Sequence, residues 1–364
     1  MGEWKEYKIS ELLKIKYGKD HKKLADGNIP LYGSGGIMRY VDSFLYDKES
    51  ILIPRKGTLT NLFYLDEPFW TVDTLFWSKI NTEIVFGKFL FYYLKTINFT
   101  NLNVGSAVPS LTTKVINTID ILLPPLKEQK AIAKVLSSLD DKIYLLYRQN
   151  KTLEELAQTL FRQWFIEEAK EGWEDVELGS VIETTSGGTP SRKNMTYYDD
   201  GKYAWVKSKE LHGSFLIDTE EKITEEALQQ SSAKLLPENS ILIAMYGATV
   251  GEYAIISKQM TCNQAICALK PNENYPYTFL YMYVKNYKDE IINMAIGSAQ
   301  QNISQLLIKQ LPICSDIKLI SKFHAEVEPL FQKIKSNIKQ VKTLKNMRDT
   351  LLPKLMSGEV RVKL

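Results

Sequence analysis

The chain has 364 residues, more than the ~100–200 of one ordinary domain, so two or more folded units are expected. Its 44% hydrophobic and 24% charged residues are those of a soluble globular protein and speak against disorder, collagen-like repeats and membrane spans. With 46 basic and 43 acidic residues the net charge is only +3, so any nucleic-acid binding has to rest on locally concentrated cations.

At the N-terminus, Met1-Gly-Glu-Trp-Lys-Glu-Tyr-Lys8 lacks the basic and apolar regions of a signal peptide, which points to the cytoplasm. Short β-type runs follow, Ser50–Ile53 and Asn61–Leu65, separated by Gly, Pro and Asn turns, and then a helix over Lys88–Thr96. Leu123-Pro124-Pro125 punctuates the chain, and a long helical pattern begins. The same series then recurs, with β-type runs at Ser240–Ala244 and Tyr253–Ile256, a helix over Thr278–Asn286, and Leu311-Pro312 before a second helical pattern.

That recurrence is an internal repeat. Trp4–Leu13 matches Trp173–Ile182 at an offset of 169. Ser50-Ile-Leu-Ile53 returns as Ser240-Ile-Leu-Ile243, each with a glycine four residues on, Gly57 and Gly247, at an offset of 190. Gly105-Ser-Ala107 returns as Gly297-Ser-Ala299 at 192, and Leu123-Pro124 as Leu311-Pro312 at 188. The growth in offset after the first match places an insertion in the second copy, in the stretch that contains the loop Thr184–Asn194. Loops on a rigid scaffold carry binding function, so this one is a candidate contact element.

The helical patterns are periodic. Ile132, Leu136, Leu139, Ile143, Leu146, Asn150, Leu153, Ala157, Leu160 and Trp164 keep a strict 4-3 spacing and are apolar except at Asn150. The second stripe is Ile320, His324, Val327, Phe331, Ile334, Ile338, Val341, Lys345, Arg348 and Leu352. Each describes a helix ~50 Å long. A 3.5-residue repeat sustained over four heptads in two places favours mutual pairing over a simple core-facing helix, with Asn150 setting the register. Because a whole globular segment separates the two helices in sequence, they can run antiparallel. The expected fold class is α+β: two globular α/β-mixed domains separated by two long antiparallel helices in a coiled coil, a dumbbell with a pseudo-twofold internal repeat.

Catalytic equipment is sparse. The Pro-Pro pair at 124–125 has apolar neighbours and no aromatic, so it is not a base-flipping methyltransferase pocket. Gly247-Ala-Thr-Val-Gly251 has neither the spacing nor the lysine of a phosphate loop. Cys262, Cys267 and Cys314 are not in CxxC spacing and His21, His212 and His324 are scattered, so neither a disulfide framework nor a metal site is expected. The strongest enzymatic alternative is a magnesium-dependent restriction-type nuclease using Asp200 with Glu220-Glu221-Lys222. A second alternative is a DNA-independent scaffold that joins partner proteins through its helices.

The remaining signals suit contact with DNA. Arg55, Lys56, Thr58 and Thr60 surround Gly57 directly after a strand, and cations, hydroxyls and backbone N–H groups all suit phosphate oxygens. In the second copy Ser191, Arg192 and Lys193, then Trp205, Lys207 and Lys209, have the same character. Gln300, Gln301 and Asn302 supply amides for adenine edges. Arg39, Ser106, Ser110, Tyr246 and Thr249 complete the candidate set.

Several motifs then point one way. Leu123-Pro-Pro-Leu-Lys-Glu-Gln-Lys-Ala-Ile132 opens the first helix, Leu160-Phe-Arg-Gln-Trp-Phe165 closes it, and Leu355-Met-Ser-Gly-Glu-Val-Arg-Val362 lies at the C-terminus. With Ser186-Gly-Gly-Thr-Pro190, Asn263-Gln-Ala265 and Gly297-Ser-Ala-Gln300, the chain over essentially its whole length resembles the specificity (S) subunits of Type I restriction-modification systems. The resemblance implies target-recognition domains at 1–126 and 170–314, each gripping one half of an asymmetric bipartite site in double-stranded DNA. It also implies helical segments at 127–169 and 315–364 that fix the spacing and dock partners. These are two modification subunits, which methylate adenine with S-adenosylmethionine, and restriction subunits that cleave DNA with ATP; this chain itself would be noncatalytic and hold no cofactor. One departure is Leu311-Pro-Ile-Cys-Ser-Asp316, which replaces the Pro-Pro-Leu-x-Glu-Gln pattern at the second helix.

A helix of ~50 Å exceeds one DNA turn of ~34 Å, so helix length would act as a ruler between half-sites. Deleting one heptad from each helix, Leu146–Thr152 together with Ile334–Gln340, is expected to shorten the preferred spacer. Methylation mapping with the assembled complex reads this, and an unchanged spacer would overturn the ruler.

Overall fold

The computed structural model describes residues 3–105, 107–169, 173, 176–295 and 301–363. The first repeat runs β1 (Lys5–Lys8), α1 (Ile9–Leu12), β2 (Leu13–Tyr17), β3 (Asp26–Gly33), β4 (Gly36–Val41), β5 (Ser50–Pro54), β6 (Phe63–Leu65), β7 (Trp70–Thr71), β8 (Leu75–Ile80), α2 (Gly87–Lys95), α3 (Thr113–Ile116), β9 (Asp120–Leu123) and the long α4 (Leu126–Arg162). Helix α4 continues into a π-helical turn at Gln163–Glu167, closed by the Glu168 N–H on the Gln163 carbonyl at 2.9 Å. The second repeat runs β10 (Val176–Glu177), α5 (Leu178–Val181), β11 (Glu183–Ser186), β12 (Tyr203–Val206), β13 (Phe215–Leu216), β14 (Glu221–Ile223), α6 (Glu225–Gln230), β15 (Ile241–Ala244), β16 (Tyr253–Ile256), β17 (Thr261–Cys262), β18 (Ile266–Lys270), α7 (Tyr277–Asn286), α8 (Lys288–Asn293), α9 (Gln305–Lys309), β19 (Pro312–Ile313) and α10 (Ile317–Ser357).

The repeat seen in sequence is a repeat of topology. One sheet has the order β2-β8-β5-β6 and its counterpart β11-β18-β15-β16, extended by β13. A three-stranded sheet β4-β3-β7 corresponds to β14-β12-β17, with the β3–β7 and β12–β17 pairs both parallel. In each copy the opening strand pairs with the strand that precedes the long helix, β1 with β9 and β10 with β19. The Ser-Ile-Leu-Ile runs form the inner strands β5 and β15, buried at every position. Ser50 tolerates this burial because its hydroxyl donates to the Ser78 carbonyl at 2.8 Å, which leaves no polar atom unpaired.

The chain divides into two compact units, Met1–Ile143 with Thr343–Leu364, and Tyr144–Lys342. The division falls inside both long helices, so each unit contains the start of one and the end of the other. In the first unit Ile132, Ala133 and Leu136 of α4 enter one core with Phe89, Leu90, Leu355 and Met356. In the second, Ala157 and Phe161 of α4 and Phe165 enter one core with Phe279, Ile320, Phe323, Val327 and Phe331. The rings of Phe161 and Phe323 lie 5.7 Å apart and those of Phe165 and Phe279 5.0 Å apart, within aromatic contact range. Within each unit the two helix segments run antiparallel: Asp140 meets Arg348 in the first, and Asn150 meets Asn337 while Phe161 meets Phe323 in the second.

The stripe positions Ile143, Leu146, Ile334 and Val341 are buried, and Leu139, Leu153, Leu160, Trp164, Ile338 and Leu352 are half-buried. The polar breaks in the stripes have partners. Asn337, 1% exposed, donates to Gln149 and Asn150, each at 2.8 Å. His324 Nδ1 lies 2.8 Å from the Thr278 hydroxyl, and Arg348 donates to Asp140 at 2.7 Å.

The motif opening α4 is a lock of buried polar groups. Gln129, 1% exposed, accepts from the Phe86 N–H at 2.8 Å and donates to the carbonyls of Pro124 at 2.9 Å and Ile84 at 3.2 Å. Glu128, equally buried, receives both arms of Arg361, at 2.6 and 2.5 Å, which joins the helix opening to the C-terminal motif. At the corresponding place in the second repeat, 188 residues on, stand Asp316, which accepts from the Leu319 N–H at 3.0 Å, and Ile317, which packs against the apolar core of that unit.

Gln129→Leu would strand one buried N–H and leave two carbonyls short of a donor. A loss of about 2–3 kcal/mol is expected in urea unfolding, with a loss below 0.5 kcal/mol arguing against the lock.

Candidate nucleic-acid interface

Both units hold a loop on a glycine in the same way. Gly57 (φ +85°) and Gly247 (φ +71°) sit in the left-handed region that favours glycine. In the first unit the Gly57 N–H donates to the Pro109 carbonyl at 2.9 Å and the Leu111 N–H to the Arg55 carbonyl at 2.8 Å, so that Lys56 bridges Ser110. In the second, the Gly247 N–H donates to Gln301 at 2.9 Å and the Ile303 N–H to Met245 at 2.9 Å, so that Tyr246 bridges Asn302. Four residues singled out from sequence, Lys56, Ser110, Tyr246 and Asn302, are thus brought together as two equivalent pairs. Gln301 and Asn302 are exposed, and Thr249 donates to the Tyr246 carbonyl at 3.1 Å. Ser106 and Gln300 lie outside the described residues.

The cations near these loops are partly committed. Arg55 donates to the Asp73 carbonyl at 3.0 Å, approaches its carboxylate at 3.4 Å, and lies 5.0 Å from the Tyr17 ring centroid; Lys56 reaches the same carboxylate at 3.3 Å. Arg39 is a strut, bonded to Asp26 at 2.9 Å and to the carbonyls of His21 and Leu24 at 3.0 and 2.9 Å. Thr58 is exposed. Thr60 lines an open cleft of about 490 Å³ with Tyr92, Lys95 and Arg348.

In the second unit Arg192 grips Glu221 with both arms, at 3.0 and 2.6 Å, and its guanidinium lies 4.1 Å from the Tyr198 ring centroid and 5.1 Å from that of Trp205. Lys207 reaches Glu220 at 2.9 Å and Glu221 at 3.2 Å, and Lys209 reaches Glu220 at 2.8 Å. Ser191 and Lys193 are exposed. Trp205 requires a correction: it is 3% exposed, packs with Ile223, Ala227 and Ala233, and donates its indole N–H to the Gly188 carbonyl at 3.0 Å. It supports the surface from beneath and does not form it.

The same cluster holds the two glutamates of the nuclease reading. Hydrogen bonds from Lys209 and Lys207 hold Glu220 at a pKa of about 2, and the Arg192 bond does the same for Glu221. Among the described residues no group of three His, Cys, Asp or Glu side chains is arranged to hold a metal.

Sequence reasoning missed Lys19, Lys22 and Lys23. They are exposed on a loop held by Arg39; Lys22 lies near enough to Asp20 to favour its charged form, and among the described residues none of the three forms a salt bridge. The signal was present in Lys19-Asp-His-Lys-Lys23, a basic run diluted by the even overall charge.

The sequence matches the Type I restriction modification DNA specificity domain family over residues 1–155 and 170–314, and the chain belongs to that family. It is 29% identical over 345 residues to the Type I restriction enzyme MjaIX specificity subunit of Methanocaldococcus jannaschii, a match covering 88% of this chain and 79% of that protein. To the HindI specificity subunit of Haemophilus influenzae it is 25% identical over 365 residues, covering 77% and 79%. Its fold is that of the Type I restriction-modification S subunit from M. genitalium, with a TM-score of 0.69 at 19% identity over 99% of this chain and 96% of that one. The chain is therefore a noncatalytic specificity subunit with two recognition domains, and the nuclease alternative falls, since these relatives are specificity subunits.

The Glu221 pKa lies below its ordinary 4.5, so its ion pair stabilises the fold fully above the unfolded pKa, and the contribution is lost as pH falls toward about 2. Glu221→Gln is expected to lower the melting temperature at pH 7, with the difference from wild type closing below pH 3. A difference independent of pH would mean that the side chain acts by packing.

Proposed function

We propose that this chain is the DNA-reading subunit of a Type I restriction-modification complex, with segments 1–126 and 170–314 each binding one half of a bipartite target in double-stranded DNA. The observation that carries the reading is the pair of equivalent glycine-held loops, Lys56 beside Ser110 and Tyr246 beside Asn302, which offer exposed polar groups at the same place on two copies of one frame. The two sites carry different side chains, so the half-sites differ in sequence. The contact set is Lys56, Thr58, Ser110, Ser191, Lys193, Tyr246, Gln301 and Asn302, with Lys19, Lys22 and Lys23 on phosphates. Arg55, Arg192, Lys207 and Lys209 exchange carboxylate partners for phosphate when DNA arrives.

The long helices dock two methyltransferase subunits and, through them, ATP-dependent restriction subunits, in the cytoplasm. The relatives' designation as specificity subunits of Type I restriction enzymes supports this partnership. No helix among the described residues is long and apolar enough to cross a membrane.

Co-purification with the methyltransferase encoded beside it, followed by mapping of methylated adenines, tests the reading. An interrupted, asymmetric site is expected, with binding that weakens steeply as salt rises. An uninterrupted palindrome would overturn the two-half-site assignment. Assembly without salt-dependent DNA binding would favour the scaffold reading.

A further inference from the structure

The tip of the hairpin formed by β3 and β4 carries exposed apolar side chains next to the cationic loop. Leu31 pairs with Arg39 and Tyr32 with Ile37, so Met38 is the extra residue of a β-bulge, a device that re-aims side chains at functional edges. Ile37 is 50% exposed and Met38 57%. The tip is pinned to the glycine-held loop through Thr74: its hydroxyl accepts from the Ser34 N–H at 3.2 Å, and its carbonyl accepts from the N–H groups of Arg55 at 2.9 Å and Lys56 at 3.2 Å. Asn61 adds a 2.8 Å bond to the Ser34 carbonyl. On the far side of the Lys56–Ser110 bridge, Val104 and Val108 are 53% and 57% exposed, and the Val104 N–H bonds to the Ser110 carbonyl at 3.0 Å.

Ile37 and Met38 stand exposed and adjacent on a tip fixed by hydrogen bonds, an apolar edge that suits a partner. Charge decides its kind. The same hairpin carries Arg39, which holds the loop of Lys19, Lys22 and Lys23, cations that form no salt bridge among the described residues. The occupant is therefore a polyanion that also presents small apolar groups. Double-stranded DNA does so in the major groove, where the thymine C5-methyl is the apolar mark among the base edges.

We infer that Ile37 and Met38 read thymine methyl groups in the half-site bound by the first unit. This rests on the DNA-recognition reading above. The second unit differs in kind at the corresponding place. There β12 leads not into a two-residue turn but into a polar excursion to β14, in which Lys207 and Lys209 pair with Glu220. Methyl reading by this hairpin is accordingly confined to one half-site.

The test uses the complex of the full chain with its methyltransferase partner and the duplex carrying its mapped site. That duplex is prepared with thymine throughout, or with deoxyuridine replacing thymine in one half-site at a time. Loss of a buried methyl contact is worth about fourfold in affinity. Wild-type complex should lose about fourfold per contacted methyl for deoxyuridine in one half-site and nothing for the other. Ile37→Ala with Met38→Ala should bind the thymine duplex more weakly and lose the deoxyuridine sensitivity, with melting temperature and assembly unchanged. Insensitivity to deoxyuridine in both half-sites, or a half-site pair without thymine, overturns the inference while salt-dependent binding leaves the recognition reading standing. Loss of methyltransferase co-purification in the double variant would make the tip a protein-docking surface and overturn it as well. Failure of the wild-type complex to bind any mapped duplex would instead remove the recognition reading itself.

Discussion

Each unit closes its core with two antiparallel helix segments that lie far apart in sequence. In the first unit Leu136 and Met356 belong to one cluster, and in the second Phe161 and Phe323 do. Neither repeat can therefore be a self-sufficient domain made of its own consecutive residues. A loop-closure cost accompanies contacts of such long sequence separation, and the structure offsets it with dense packing at each junction. In the first unit the bidentate Glu128–Arg361 pair adds a charged bond whose acidic partner is shielded from water. Removing one member of such a pair is far more costly than never having built it, which ties the fate of the C-terminal motif to that of the helix opening.

That constraint explains features that look unrelated in the sequence. The Pro-Pro-Leu-Lys-Glu-Gln motif is a set of buried hydrogen bonds around Gln129 and Glu128, and the C-terminal Gly-Glu-Val-Arg motif exists to return Arg361 to them. The departure at 311–316 is consistent with this. The second unit fills the equivalent junction with Phe161, Phe165, Phe279 and Phe323, so an apolar Ile317 stands where the first unit has Gln129.

Much of the frame was legible because periodicity and recurrence are one-dimensional signals. The 4-3 stripe marks the buried face of both helices, and the offsets near 190 align β5 with β15 and the two glycine loops. What was not legible depends on who faces whom across sequence distance. Asn150 can be read as a register residue, but its partner Asn337 lies off the stripe, and Phe161 and Phe165 face the globular core from just beside it. Trp205, among lysines in the sequence, reads as a surface aromatic, yet strand alternation on β12 turns it inward beneath Arg192. Arg39 and Lys207 read as free cations; their carboxylates, Asp26 and Glu220, are 13 residues away and reached only once the sheets form. The lysines at 19–23, outside any salt bridge among the described residues, were overlooked for the converse reason, since composition counts every charge equally and does not know which are already neutralised.

The near-neutral total charge follows from the same division. A frame that spends many of its cations on internal ion pairs retains few for phosphate, and discrimination then has to come from shape and from groups other than charge. The two units keep one strand order while presenting opposite chemistry at the corresponding edge, a bulged apolar hairpin in one and a charged excursion in the other. Strand pairing of β3 with β4 and of β12 with β14 is satisfied in both cases, so the edge can vary without disturbing the core. A surface that tolerates such change on a fixed scaffold lets recognition diverge between halves of one chain while the helix junctions, which every residue of the fold depends on, stay as they are.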